Sequence, residues 1–351
     1  MRFDCSALTF RLMGAVLLLL LCCTAASAAA FTINQTPVDL DHPPGRLVDI
    51  GGYRLHIYCL GQGSPTVVLD SGIGGFSLEW VDIQKALSRH TRVCIYDRAG
   101  YGWSERSPYP RTTRIIVQEL HRLLTAAHEA PPYVLAGHSF GGYNIRYFAG
   151  EFPREVAGLV LIDASHPRQF SRFPPPPPGT LLKPPPDTGT RIVRSVFPYT
   201  YPRAIRQLAF LLMVHRHSAR IQLQEVDHFE ESAREVLAQH KRFPDLPVIV
   251  ITRGMRVWPH NRYGDAMEQA WTDLQQNLLS LSHHSAQIIA RHSGHAVHLD
   301  QPQVVIAGIL RDLRSARRRV TARPNLATGF TPGVNRRTAP AAAGEDDKKP
   351  L

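Results

Sequence analysis

The stretch Tyr133-Val-Leu-Ala-Gly-His-Ser-Phe-Gly-Gly142 decides the reading of this chain. Its first four residues are apolar, as in a strand buried on both faces, and a helical apolar period begins directly after it. Between the two lies Gly137-His138-Ser139-Phe140-Gly141, with a glycine two residues before and two residues after the serine. In a sharp strand-to-helix turn a Cβ at either place would collide with neighbouring backbone, so the spacing predicts such a turn with Ser139 at its apex. The turn exposes the hydroxyl, and the start of the next helix offers amide N–H groups to a developing anion. Three fixed residues also coincide by chance. Their placement between strand and helix is what makes Gly137 and Gly141 elbow glycines and Ser139 a candidate nucleophile instead of a structural turn.

The same alternation continues on both sides. Short β-branched runs at 66–69, 93–96, 159–162, 248–252 and 287–290 are mostly separated by helical-period stretches such as 113–127 and 142–151. Apolar runs separated by helices predict an α/β fold on a parallel sheet covered on both faces. Gly51-Gly52 reads as a hairpin turn, so the sheet is expected to begin antiparallel. The alternation breaks between Asp163 and Leu246. This insert opens with proline-rich sequence, passes through an apolar-rich 203–214 and ends in an amphipathic 227–239. It is too long for a loop and predicts a helical cap inserted after the sixth strand. A closing helix is expected at 303–314 with Asp300 as its N-cap. The expected organisation is a signal segment at 1–28, core at 29–163, cap at 164–246, core again at 247–314 and a disordered basic tail at 315–351.

A chain of 351 residues that is 44 % hydrophobic and 20 % charged is not wholly disordered, and 25 Gly and 28 Pro without a three-residue period exclude a collagen-like one. The formal charge of +11 is uneven: residues 315–351 alone carry +5. The basic balance therefore points to no nucleic-acid partner, and at most to weak contact of the tail with an anionic surface. Arg2 and Arg11, an apolar run at 12–23 and Ala26-Ser27-Ala28 have the layout of a secretory signal peptide. Export to the periplasm, cell envelope or medium is the expectation, with membrane attachment only if the segment stays uncleaved. Removing it leaves Cys59 and Cys94 in an oxidising setting. Both sit in strand-like runs and can bridge if those strands are neighbours; two buried thiols are the alternative.

Three further stretches accompany the elbow: Leu69-Asp-Ser-Gly-Ile-Gly-Gly75, Tyr96-Asp-Arg-Ala-Gly-Tyr-Gly-Trp-Ser104 and Ser293-Gly-His-Ala-Val-His-Leu-Asp-Gln-Pro302. With them the chain resembles the α/β-hydrolase superfamily, in particular its lidded esterase-like members, over about residues 47–314. The resemblance implies a mostly parallel eight-stranded sheet, Ser139 as nucleophile, and an oxyanion hole from the N–H groups of Ile73 and Phe140. A serine hydroxyl needs a base of near-neutral pKa. The motif position names His295; His292 and His298 are its nearest competitors, each otherwise a solvated or helix-capping side chain. The family's usual acid after the seventh strand is absent, because Arg253-Gly-Met-Arg-Val-Trp258 has no carboxylate. Some members carry the acid after the sixth strand, where this chain has Asp163; Asp265 is the alternative acid. Arg98 reads as a scaffold residue pairing a nearby carboxylate, and Trp80 and Trp103 as lining the site mouth or packing.

Family members that open epoxides or displace halide use Asp where this chain has Ser139. The remaining expectation is acyl transfer to water, with a small or medium hydrophobic ester as substrate and an acyl-enzyme intermediate. A serine aminopeptidase would want an acid in the cap, for which Glu225, Asp227, Glu230 and Glu231 are available unless they are solvated surface charges. A cofactor-free haloperoxidase or a C–C bond hydrolase would use the same triad. The missing seventh-strand acid motivates a further reading, a non-catalytic binding protein. No metal-ligand spacing, phosphate loop or dinucleotide fingerprint stands out, so no cofactor or metal is expected.

Overall fold

The apolar runs pair into one sheet in the computed structural model, which describes residues 42–175, 177, 203–215, 218–239 and 241–322. The strands are β1 (Arg46–Asp49), β2 (Arg54–Leu60), β3 (Thr66–Asp70), β4 (Val93–Tyr96), β5 (Tyr133–His138), β6 (Val156–Ile162), β7 (Val248–Arg253) and β8 (Ser285–Ala290). The helices are α1 (Val81–Leu87), α2 (Thr113–Ala126), α3 (Gly141–Glu151), α4 (Gln169–Arg172), α5 (Arg203–His215), α6 (Ser218–Asp227), α7 (Phe229–Ala238), α8 (Arg262–Leu278), α9 (Val297–Asp300) and α10 (Pro302–Ala322). Strand order across the sheet is β1-β2-β4-β3-β5-β6-β7-β8. β2 is antiparallel to both β1 and β4, and every other pair is parallel. The antiparallel start follows from Gly51 and Gly52, at φ +110° and +107°, whose amides both donate to Asp49 Oδ1.

Period-two alternation of side chains divides the core between the two faces. Val67, Leu69, Val134 and Ala136 share one cluster with Ile83 and Leu87 of α1 and Val305, Ile309 and Leu313 of α10. Val68 and Leu135 share the other with Val117 and Leu120 of α2 and Ile145 and Phe148 of α3. Each such fully buried side chain contributes about 1.5–3 kcal/mol relative to exposure.

The closing helix runs to Ala322, past the expected end at 314. Its apolar period continues through Leu313 and Ala316, both buried in the core cluster, so no tail begins at 315. Asp300 is not a cap: its Oδ2 accepts from Ser293 Oγ and the Gly294 amide, bracing the loop before α9. The amphipathic 227–239 is interrupted at His228, leaving α6 and α7 as separate helices. The signal segment 1–28, the 184–186 proline run and the tail from 323 lie outside the described residues. Among the described residues no helix is long and apolar enough to cross a membrane.

Cys59 and Cys94 are register partners on β2 and β4, with Cα atoms 4.1 Å apart and their sulfurs bonded. Closing a 35-residue separation restricts the unfolded chain. Replacing both by serine is expected to lower Tm by roughly 4–16 °C in a calorimetric scan, from about 2–4 kcal/mol of lost stability.

Asp312 of α10 is wholly buried against Gly158 of β6, and neither of its oxygens has a hydrogen-bond partner among the described residues. Burial pushes its carboxyl well above the usual range. A raised folded-state pKa means that folding takes up a proton, so this group's contribution to stability is full below the unfolded pKa, falls as pH rises toward the folded one and is lowest above it. Asp312→Asn is therefore expected to raise Tm by several degrees at pH 8 and to change it little at pH 4. A Tm difference that does not widen with pH would contradict this.

Candidate active site

β5 delivers Ser139 at φ +50°, a region that non-glycine residues seldom occupy and that a tight elbow enforces. Its amide donates to Ile162 O (3.1 Å), and its carbonyl accepts from Gly142 and Ser165 N–H (both 2.9 Å). A Cβ on Gly137 would lie 2.4 Å from Gly141 O, and one on Gly141 2.5 Å from Asp70 O. Both glycines are thus required by close backbone approach. The turn sets Ser139 on a cavity of about 410 Å³ also lined by Gly72, Ile73, Gln222, His295 and Leu299.

His295 sits on the loop between β8 and α9, its side chain 42 % exposed, with Nδ1 2.6 Å from Asp163 Oδ2. With the carboxylate as acceptor, Nδ1 carries the proton and Nε2 is left with the lone pair. Asp163 follows β6 at φ +36° and is fully buried. Its Oδ1 accepts from Trp271 Nε1 (2.9 Å) and the Arg253 amide (3.2 Å), and its Oδ2 from Arg253 Nη1 (3.0 Å). Burial pushes this carboxyl up, but the His295 bond and charge, the Arg253 charge and the Trp271 N–H outweigh it and hold the group below its usual value. β6 and β7 are parallel neighbours, so a carboxylate after β6 reaches the place that the end of β7 would otherwise serve. At the end of β7 stands Arg253, its guanidinium 4.7 Å from the Trp258 ring centroid and 4.9 Å from that of Trp271, and bonded to Glu268 as well.

Asp265 is not at this place. Its side chain is 62 % exposed and paired with Arg256, while the carboxylate on His295 Nδ1 is that of Asp163. His292 is exposed, whereas His298 is not solvated but buried, stacked on Trp80 at 4.6 Å and 3.4 Å from Glu79. Trp80 and Trp103 are both buried and line no part of the cavity. Trp80 donates to Ser71 Oγ, and Trp103 packs on His56.

The loop after β3 turns through a Gly75 N–H to Gly72 O bond of 3.1 Å. Neither the Ile73 nor the Phe140 amide donates to an acceptor among the described residues. Both residues flank Ser139, Ile73 across the cavity wall and Phe140 as its chain neighbour.

Four residues that the motifs do not single out help to build the site. His138 Nε2 lies 2.9 Å from His295 O and, facing a carbonyl, must be the donor, which ties the elbow to the histidine loop. Burial, then the nearby His298 and His295, hold His138 far below the usual imidazole pKa, so it is neutral. Arg253 had a sequence signal, a charge ending the apolar run 248–252. Trp271 had none, because helix α8 carries no motif, and Glu225 had only its place among the acids of the insert. Glu225 is fully buried and bonded to Arg98 Nε (2.8 Å), Arg98 Nη2 (3.0 Å) and Tyr101 Oη (2.9 Å), so it is not an open anchor for a substrate amine. Glu230 is exposed and paired with Arg234, and Asp227 and Glu231 are exposed.

A family model described as the alpha/beta hydrolase family matches residues 67–308. The uncharacterized protein YqjL of Bacillus subtilis is 27 % identical over 247 residues, covering 70 % of this chain and 82 % of its own length. A protein of Gibberella zeae named as an AB hydrolase superfamily protein is 24 % identical over 289 residues, covering 72 % of this chain and 87 % of its own. Among solved structures, the enol-lactonase from Burkholderia xenovorans LB400 superposes with a TM-score of 0.56 at 17 % identity, over 77 % of this chain and 100 % of that one. At that identity the superposition speaks for the fold alone.

Proposed function

The chain belongs to the alpha/beta hydrolase family, and on that premise we propose that it is an exported serine hydrolase that cleaves a small or medium hydrophobic ester. The observation that carries this reading is the 2.6 Å contact of His295 Nδ1 with the buried Asp163 carboxylate, on the wall of the cavity that Ser139 also lines. In the proposed reaction Ser139 Oγ attacks the ester carbonyl while His295 Nε2 takes the hydroxyl proton. The Ile73 and Phe140 amides receive the oxyanion. His295 then returns the proton to the leaving alcohol. Water, deprotonated by the same imidazole, hydrolyses the acyl-enzyme and regenerates the serine. Asp163 keeps the proton on Nδ1 and stabilises the imidazolium as it forms. A carboxylate in this place also answers the motive for a non-catalytic reading, because the missing β7 acid has a substitute on β6. The cavity volume falls within the range of small-molecule sites. Export rests on the pattern at 1–28.

A fluorophosphonate probe tests the reading directly. The expected result is one adduct, mapped by peptide mass to Ser139, and turnover of a p-nitrophenyl ester series that peaks at a short or medium acyl chain. A folded protein that takes up no probe and hydrolyses none of the series would return the chain to the binding-protein reading.

A further inference from the structure

We propose that Glu225, on helix α6 outside the sheet, is a positioning residue for the oxyanion hole, acting through Arg98 and Tyr101 on the loop that carries the Ile73 amide. The inference rests on the serine-hydrolase reading above and assigns the inserted helix a part in it.

The connection runs through one peptide plane. Arg98 Nη2 donates to Gly72 O (2.7 Å), and the carbonyl of Gly72 and the N–H of Ile73 belong to the same peptide unit. A trans peptide is planar with its C=O and N–H on opposite sides, so fixing the carbonyl fixes the direction of the N–H. Arg98 Nη1 holds the preceding carbonyl, Ser71 O, at 2.7 Å, and Asp70 Oδ1 at 2.9 Å. The positive charge at Gly72 O also polarises that amide, which makes its N–H a stronger donor toward an anion.

What orients the guanidinium is Glu225, which takes Nε and Nη2 on its two oxygens. A planar five-donor fork gripped in this way has no freedom to turn. Glu225 reaches the loop a second time: Tyr101 Oη donates to its Oε2, and Tyr101 Oη in turn accepts the Gly74 N–H at 3.3 Å. The residues on both sides of Ile73 are therefore tied to one carboxylate. Arg98, Tyr101 and Glu225 are all buried, which strengthens these bonds and makes loss of one partner costly. Helix α6 also lies against the loop itself, since a Cβ on Gly74 would come 2.9 Å from Gln222 Nε2. No surface helix need carry a buried carboxylate to stay folded, and here that carboxylate holds the loop that faces the nucleophile.

The test compares wild type, Glu225→Gln and Tyr101→Phe in the full chain, reading kcat and KM on p-nitrophenyl butyrate, the Ki of a trifluoromethyl ketone, and Tm. Glu225→Gln is expected to lower kcat on the order of tenfold to a hundredfold, with KM within about threefold, because a misdirected donor fails the transition state and not the ground state. The Ki of the ketone, whose adduct places an oxyanion in the same hole, is expected to rise by a similar factor. Tyr101→Phe keeps the ring and removes only the bridge to Gly74; its expected loss of kcat is smaller, about threefold to tenfold, and it carries the test if Glu225→Gln does not fold. A folded Glu225→Gln with wild-type kcat and Ki, or one that changes only Tm, overturns the inference and leaves the hydrolase reading intact. A wild type without turnover or fluorophosphonate labelling overturns both.

Discussion

Replacing His295 by alanine is expected to lower kcat on the ester substrate by about 10⁵–10⁶, with Ser139→Ala equal to it and the double variant no worse than either alone. The equality follows from their joint action. The hydroxyl is inert without an acceptor for its proton, and the imidazole has nothing to deprotonate without the hydroxyl, so removing either removes the covalent route. Both side chains line the same cavity, and neither is part of the buried core, His295 being 42 % exposed on the imidazole side. Stability should therefore change little, and the thermal midpoint of each variant checks this. Pre-steady-state kinetics give the sharper test. Wild type should release a burst of p-nitrophenol equal to the enzyme concentration, and His295→Ala none. A His295→Ala protein retaining more than a few per cent of wild-type kcat would assign the base to another residue.

Asp163→Asn is expected to lower kcat by about 10⁴, while Asp265→Asn leaves it within about twofold. An Asn in place of Asp163 presents either an amide oxygen or an NH₂ to His295 Nδ1. The NH₂ orientation favours the tautomer with its proton on Nε2, which cannot accept from serine. The surrounding donors decide which way it turns. Arg253 Nη1, the Arg253 amide and Trp271 Nε1 all donate to the two carboxylate oxygens. An amide cannot satisfy donors on both of its ends, so one is left facing an NH₂. Part of the loss is thus the tautomer and part the lost charge opposite the imidazolium. Arg253 retains Glu268 as a partner, which limits the structural damage. Measuring kcat and Tm together separates the two. A folded Asp163→Asn with undiminished kcat would move the acid elsewhere, and loss of activity in Asp265→Asn would point to where.

Most of the architecture was legible in local sequence. Apolar runs at strand length, helical periods between them and the glycine pair at 51–52 suffice to give an α/β sheet that begins antiparallel, because burial on both faces and permissive φ are properties of short segments. The elbow was legible from its spacing, a glycine two residues before and two after Ser139; the collision at Gly137 is with Gly141, four residues on, whereas the one at Gly141 is with Asp70 at the end of β3. The closing helix outruns the expected 303–314 because, among the basic residues after 314, Ala316 still packs in the core.

The carboxylate beside His295, the neighbours of that imidazole and the setting of the loop after β3 needed the tertiary structure. The sequence favours Asp163 and leaves Asp265 as its alternative; what separates them is that β6 lies beside β7 in the sheet and that Asp163, at positive φ, meets His295, 132 residues away. In the sequence His298 competes with His295 or stands as a solvated or capping side chain; the fold buries it against Trp80. Glu225 read as one more surface acid until α6 buried it against Arg98. By itself the sequence determined the strand pattern, the elbow and the candidate Ser139, since these show in the spacing of residues within short segments. Only the tertiary structure decided which carboxylate meets His295 and which helix holds the loop after β3, because those contacts join segments whose separation in sequence leaves no local trace.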